Sequence, residues 1–393
     1  MVPFPARRHP RGTAVTPFET PERRELRATV RRFMAAEVLP HLDSWERAGE
    51  LPRSLHRAAA KVGLLGVAFP EEAGGEGGDL IDAMVVVEEM HYAGASGGLI
   101  AGLLTCGIAL PHLVAAGQVD RWVRPTLAGD MIGALAITEP DGGSDVAGIR
   151  TTAVRDGDDY IVNGAKTFIT SGVRADFVTT AVRTGGPGAH GISLLVIEKG
   201  TPGFTVDRQL EKMGWHCSDT ASLSFVDCRV PASNLVGAEN TGFIQIALNF
   251  VAERLTLAVQ AYATAQRAYD LTVEWCRARE TFGRPLISRQ SVQMTLTDMA
   301  RRIDVARTYT RAIATRHLAG EDVIAEVCFA KNTATKTGEW VAREAVQLHG
   351  GTGYLRDTEV ERHYRDLRLL SIGGGTTEIL TLLAAKRLGL TSQ

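Results

Sequence analysis

A carboxylate on an otherwise apolar helical stretch is the first group with chemical potential: Glu253, within Phe250-Val251-Ala252-Glu253-Arg254-Leu255. Such a residue is either a structural acid bonded to a nearby Arg or a base whose pKa burial has raised toward neutrality. A second candidate is Leu135-Ala136-Ile137-Thr138-Glu139-Pro140-Asp141-Gly142-Gly143-Ser144-Asp145, rich in small and turn residues. Its glycines let backbone approach a ligand closely, and Thr138 and Ser144 add hydroxyls; a tight surface turn between domains explains the composition equally well. It is neither a P-loop, which needs Gly-Lys-Ser/Thr, nor a G-x-G-x-x-G after a strand. A third is Gly373-Gly374-Gly375-Thr376-Thr377-Glu378, a glycine run leading into a helix. It is compatible with a flexible link and with backbone amides reaching a ligand oxygen at a helix N-terminus. Glu378, in the first turn of that helix, suits the helix dipole.

The chain that positions these groups has 393 residues, 45% hydrophobic and 22% charged, which suits a soluble globular protein of two to four domains. Lys plus Arg (43) nearly balances Asp plus Glu (45), so no global field favours nucleic acid or an anionic membrane. Apolar runs such as Ile192 to Ile197 break well before the roughly 18 residues of a membrane span. The five Cys form no C-x-x-C pair, so reduced thiols in a cytoplasmic protein and no metal site are expected. Residues 1–18 are Arg-rich and acid-free, but Pro3, Pro5, Pro10 and Pro17 forbid an amphipathic transit helix, leaving a loose tail.

Residues 19–130 read as helical: Leu26, Val30, Phe33, Met34 and Val38 recur at helical spacing, and a glycine joint at 74–78 precedes a helix from Leu80 to about Tyr92. Residues 131–236 read as short strands, including Tyr160 to Val162, Phe177 to Val182, Ile192 to Ile197 and Ser222 to Phe225. No long helix intervenes, which predicts antiparallel pairing in a barrel or sandwich. Residues 237–393 hold four long helical stretches, the pattern of a bundle. The fold class is therefore α+β, ordered α, β, α.

The segments together resemble the acyl-CoA dehydrogenase family. Residues 138–145 resemble its T-E-P-x-x-G-S-D signature, and Lys166-Thr167-Phe168-Ile169-Thr170 its flavin-facing strand. Cys217-Ser218-Asp219-Thr220 and Val230-Pro231 resemble the end of its β domain. Arg279-Glu280-Thr281-Phe282-Gly283, with Arg289-Gln290 beyond, and Gln347-Leu348-His349-Gly350-Gly351-Thr352-Gly353 resemble its R-x-x-F-G and Q-x-x-G-G-x-G segments. Arg365-Asp366 and Gly375-Thr376 follow in family order. The resemblance implies FAD, contacted by Leu135, Ile137, Thr138, Gly143, Ser144, Phe168, Ile169 and Thr170. It also implies cofactor contacts from Arg279, Thr281, Phe282, Gln290, Gln347, Gly350, Gly351, Thr376 and Glu378. In relatives, residues like Arg279, Phe282, Gln347 and Gly351 reach the FAD of a neighbouring subunit, so a homodimer or homotetramer is implied.

The implied reaction removes a proton from Cα of an acyl-CoA and a hydride from Cβ to flavin, with an electron-transfer flavoprotein as acceptor. Many members carry the base just before the Gly-Thr of the last segment, where this chain has Gly374. An isovaleryl-like and long-chain-like subset places it in an E-R-L context on an earlier helix, which Glu253 matches; Glu378 is the rival. Ser144, Arg254, Gly374 and Gly375 are the implied substrate contacts, with Arg254 near the acyl-CoA nucleotide. The glycines at 373 and 374 are expected to leave open space for a branched or longer acyl chain. An acyl carrier protein thioester, or an oxygen-using oxidase or monooxygenase on the same scaffold, stay open as alternatives.

Overall fold

The computed structural model describes residues 17–390, so most of the expected tail lies outside the described residues. Phe18, counted with that tail on sequence, is instead buried in the core, on a short turn at Pro17–Glu19. Helix α1 (Pro21–Phe33) starts where Thr20 accepts a hydrogen bond from Arg23 N and Pro21 takes a position that needs no donor. It buries Val30 and Phe33 and packs on α2 (Leu80–Tyr92), whose start is a capping box between Asp79 and Asp82.

The middle region is a seven-stranded sheet of β1 (Gly133–Ala136), β2 (Thr152–Asp156), β3 (Asp159–Thr170), β4 (Phe177–Arg183), β5 (Ile192–Glu198), β6 (Phe204–Gln209) and β7 (Thr220–Pro231). Most pairings are antiparallel, as expected. Two are not: β1 runs parallel to β4, and β2 meets β4 in parallel at Thr152 and Arg183. Phe177 to Val182 and Ile192 to Ile197 are buried without a break, Thr179, Thr180 and Ser193 included, because both faces of β4 and β5 are covered.

The C-terminal region contains α3 (Gly242–Ala278), α4 (Gln290–Leu318), α5 (Ile324–His349), α6 (Glu359–Leu370) and α7 (Thr377–Arg387). The four expected helices are present. The short, charged α6 is the addition, its pattern visible only once Val360, His363, Asp366, Leu367 and Leu370 are seen to share a buried side. Helix α3 is long and apolar enough to cross a membrane, but here it packs against α2, α4 and α5 as the spine of the bundle.

Asp366 on α6 locks the three regions together. Its carboxylate accepts from Trp215 N (2.7 Å) in the β region and Gly97 N (3.0 Å) in the N-terminal region. Trp215 Nε1 donates to the Asp366 carbonyl at 3.1 Å. Gly97 is obligatory, since a Cβ there would sit 2.0 Å from Trp215 Nε1. Replacing Asp366 by Ala strands two buried amides, each worth about 1–3 kcal/mol. The expected outcome of Asp366→Ala is a loss of about 2–5 kcal/mol in denaturant unfolding, and an unchanged midpoint would refute this role.

Candidate active site

Helix α3 delivers Glu253 and Arg254 to the link between α6 and α7, where Gly374 (φ +64°) and Gly375 (φ +97°) adopt left-handed backbone. Arg254 Nε donates to the Gly374 carbonyl at 3.0 Å. From α5, the fully buried Lys331 donates to the carbonyls of Gly373 (2.9 Å) and Gly375 (2.8 Å). Three consecutive carbonyls are thus held by two cations. Among the described residues, the amides of Gly374, Gly375 and Thr376 have no protein acceptor. Below them Thr376 caps α7, accepting from Ile379 N.

Glu253 stands beside this turn. It keeps a partial opening to solvent, yet protein surrounds its carboxylate closely enough for desolvation to dominate, and its pKa is pushed up to about 7. Arg254 and Lys331 pull the other way without cancelling that effect. Among the described residues, Glu253 has no hydrogen bond or ion pair. A partnered structural acid is therefore not what the geometry presents. Glu378 differs sharply: it is exposed, and hydrogen bonds from its own amide and then Thr376 hold it below the usual carboxylate range.

A Cβ on Gly374 would lie 3.6 Å from Glu253 Oε1 and 2.4 Å from Leu257 Cδ1. The Glu253 carboxylate on α3 thus reaches the place from which a side chain at 374 would grow. Leu257, one turn on, has taken the adjoining volume. The expectation of open space beside Gly374 is corrected by this contact: a neighbouring leucine fills it. Arg254, expected near the nucleotide, is mostly buried with its Nε turned into the glycine link.

The signature segment forms a second cluster. Lys166, fully buried on β3, donates to Glu139 Oε1 and to the Ile137 carbonyl, both at 2.9 Å. Glu139 also accepts from Arg150 N (2.6 Å) and Thr151 N (2.9 Å), so its carboxylate holds the loop. Thr167 N bonds the Thr138 carbonyl at 2.9 Å, placing Thr138 beside the β3 bulge between Lys166 and Ile169. In that bulge Phe168 has φ +59° and is 68% exposed. Left-handed backbone in a bulky residue is strained, and here the strain presents an uncovered aromatic face. Ile169 is buried, Leu135 and Thr170 are half-buried, and Gly143 and Ser144 lie exposed on the loop.

A third cluster gathers at the far end of α3. Trp275 stacks on His349 with centroids 4.9 Å apart, bringing Arg279, Thr281, Phe282 and Gln290 to the same end as Gln347, Gly350 and Gly351. Thr281 already receives Arg289 on both its carbonyl (2.6 Å) and hydroxyl (2.8 Å). Phe282 is 96% exposed at φ +51° and Tyr354 is 83% exposed. From Glu253 to Arg279 the helix runs roughly 40 Å, at about 1.5 Å per residue. That span separates the third cluster from Glu253 within one chain.

Lys331 and Leu257 are not singled out by sequence, and Lys166 stands there only as part of the segment that ends in Thr170, not as the anchor of the loop. The signal available for Lys331 was the one used for Glu253: a lone charge after the apolar Cys328-Phe329-Ala330. A test of the glycine turn is Gly374→Ala, where steric overlap with Leu257 adds to left-handed strain. The expected loss is about 2–4 kcal/mol of unfolding free energy. A further Leu257→Ala change should recover part of it; full stability of the single variant would contradict the contact.

Family models of the acyl-CoA dehydrogenase N-terminal, middle and C-terminal domains match residues 20–130, 134–228 and 240–389. The long-chain specific acyl-CoA dehydrogenase of Sus scrofa mitochondria is 39% identical over 368 residues, covering 92% of this chain and 85% of the relative. A Mycobacterium smegmatis crystal structure assigned to the acyl-CoA dehydrogenases is 67% identical, with TM-score 0.95, covering 96% of this chain and 100% of that one. A glutaryl-CoA dehydrogenase from Mycobacterium smegmatis, solved in complex with FADH2, is 26% identical with TM-score 0.87, covering 95% and 96%. With domains matched in order and an unpaired carboxylate at the glycine turn, this chain belongs to the acyl-CoA dehydrogenase family and is an oxidoreductase of that class.

Proposed function

We propose that the chain oxidises a saturated acyl-CoA thioester between Cα and Cβ, with FAD as hydride acceptor and an electron-transfer flavoprotein as the onward partner. The observation that carries the reading is Glu253, an unpaired carboxylate with its pKa near 7, beside backbone amides that lack protein acceptors. The chain has features that fit a flavin: the exposed Phe168 face on its strained bulge, next to a loop where a Cβ on Gly142 would meet no heavy atom within 4 Å. Bound there, FAD supplies the centre that takes the Cβ hydride.

The residues divide the remaining work. Glu253 takes the Cα proton, and an amide of the glycine turn, Gly374 N–H foremost, binds the thioester oxygen as negative charge develops on it. The start of α7 adds positive potential at the same place. Phe168 and the amides and hydroxyls of the loop at Thr138 to Ser144 are the groups that would hold the flavin ring. The Arg279 and Gln347 cluster lies far from Glu253 along α3, which suits the family resemblance, whose implication is that such residues serve the cofactor of a second copy and the working unit is at least a dimer.

Anaerobic titration of the yellow holoprotein with straight and branched acyl-CoAs, followed by flavin absorbance, tests the reading; no bleaching with any of them would refute it. Glu253→Gln should keep its flavin and lose about 10²–10⁴-fold in reduction rate, a far larger loss than Glu378→Gln at saturating FAD. The reverse result would move the base. A base must be ionised to act, so with Glu253 near 7 the wild-type rate should fall as pH drops through about 7. A rate flat from pH 8 to pH 5.5 would exclude this carboxylate.

A further inference from the structure

We propose that Lys331 is a positioning residue for the reaction: buried beneath the glycine turn, its ammonium gathers the carbonyls of Gly373 and Gly375 so that the amides of the turn stay available to substrate beside Glu253. The inference rests on the dehydrogenase reading and deepens it. Its geometry is specific. Gly373 and Gly375 flank the residue whose own carbonyl Arg254 holds at 3.0 Å, so one lysine clasps both sides of the turn. The turn has no side chains of its own to fix it, and two of its residues are in left-handed backbone. Without a pin, three consecutive glycines would sample many conformations, and only a fraction would present their amides to one oxygen atom.

Charge adds to position. The groups facing Lys331 are Arg254 and Glu253 from α3, and Cys328 and Glu339 from its own helix. Glu339 is itself engaged by Arg368 (2.7 Å) and Ser371 (2.6 Å) from the α6 side. Glu253 is therefore the acid near Lys331 without a partner of its own. A positive Lys331 favours the ionised base, so removing that charge raises the pKa of Glu253. Burial, with Arg254 adding repulsion, brings Lys331 itself down to about 8. Its charge and full donor set are thus lost above that pH.

The test uses the holoenzyme with Lys331→Met and Lys331→Arg. Titration of Glu253 is followed without substrate by difference infrared spectroscopy of the carboxyl stretch, with Glu253→Gln as the blank. Lys331→Met should shift the Glu253 midpoint upward by about one pH unit, and Lys331→Arg should leave it at the wild-type value. With acyl-CoA, Lys331→Met should lower the flavin-reduction rate about 10²-fold with little change in KM. Wild type is expected to lose rate as pH rises through about 8, where Lys331 gives up its charge, and Lys331→Arg should recover part of the Lys331→Met loss and remove that alkaline fall. An unchanged Glu253 midpoint and wild-type reduction in Lys331→Met would overturn the proposal. So would an alkaline fall retained by Lys331→Arg, the deciding measurement if Lys331→Met does not fold. Wild type that no acyl-CoA reduces would defeat the dehydrogenase reading instead, leaving the infrared titration to judge the Lys331 and Glu253 pair alone.

Discussion

Two buried cations lie close to one carboxylate at the glycine turn, and neither forms an ion pair with it. Arg254 and Lys331 bond backbone carbonyls of the glycine turn instead. Had either reached Glu253 directly, the acid would be held ionised at low pKa, a poor proton acceptor at neutral pH. With both cations engaged elsewhere, desolvation dominates and the carboxylate is poised near 7. The raised pKa of Glu253, the free amides and the conformation of the turn all follow from this allocation of hydrogen bonds.

The same device recurs in the middle region. Lys166 is buried on β3 and joins the signature loop through Glu139 and the Ile137 carbonyl. In both places a flexible segment rich in small residues is fixed by a lysine rooted in a long regular element. A buried lysine is costly to desolvate, and its pKa falls accordingly to about 8 in each case. The compensation is that each ammonium satisfies two acceptors on segments that would otherwise be mobile. In the proposed function these segments are the ones that would meet substrate and cofactor, so rigidity would be concentrated where a ligand would otherwise have to impose order on binding.

At a larger scale, Asp366 joins amides from the N-terminal and β regions to α6, the helix that leads into the glycine turn. Position therefore passes from the junction of the three regions directly into the site. Phe168 and Phe282 remain exposed on strained backbone at opposite places in the chain. Exposed aromatics held in unfavourable conformations are expensive for an isolated subunit. They are understandable if a bound ring and a second copy of the chain cover them.

Much of this was legible in the residues. Helical periodicity, turn clusters and apolar runs marked the three regions, because burial imposes a period on any amphipathic element. Glu253 stood out as a lone acid on an apolar helix, and Gly374 as a place without a proton acceptor. What sequence could not supply was contact between residues far apart in the chain. The parallel pairing of β1 with β4, the buried face of the polar α6, and the filling of the Gly374 space by Leu257 depend on packing with no local pattern. Whether Glu253 was a paired structural acid or an unpaired base was likewise open until tertiary structure showed where the neighbouring cations go. A side chain's charge is written in the sequence, but which acceptor it reaches is decided only when helices 78 residues apart, at Glu253 and Lys331, are brought side by side.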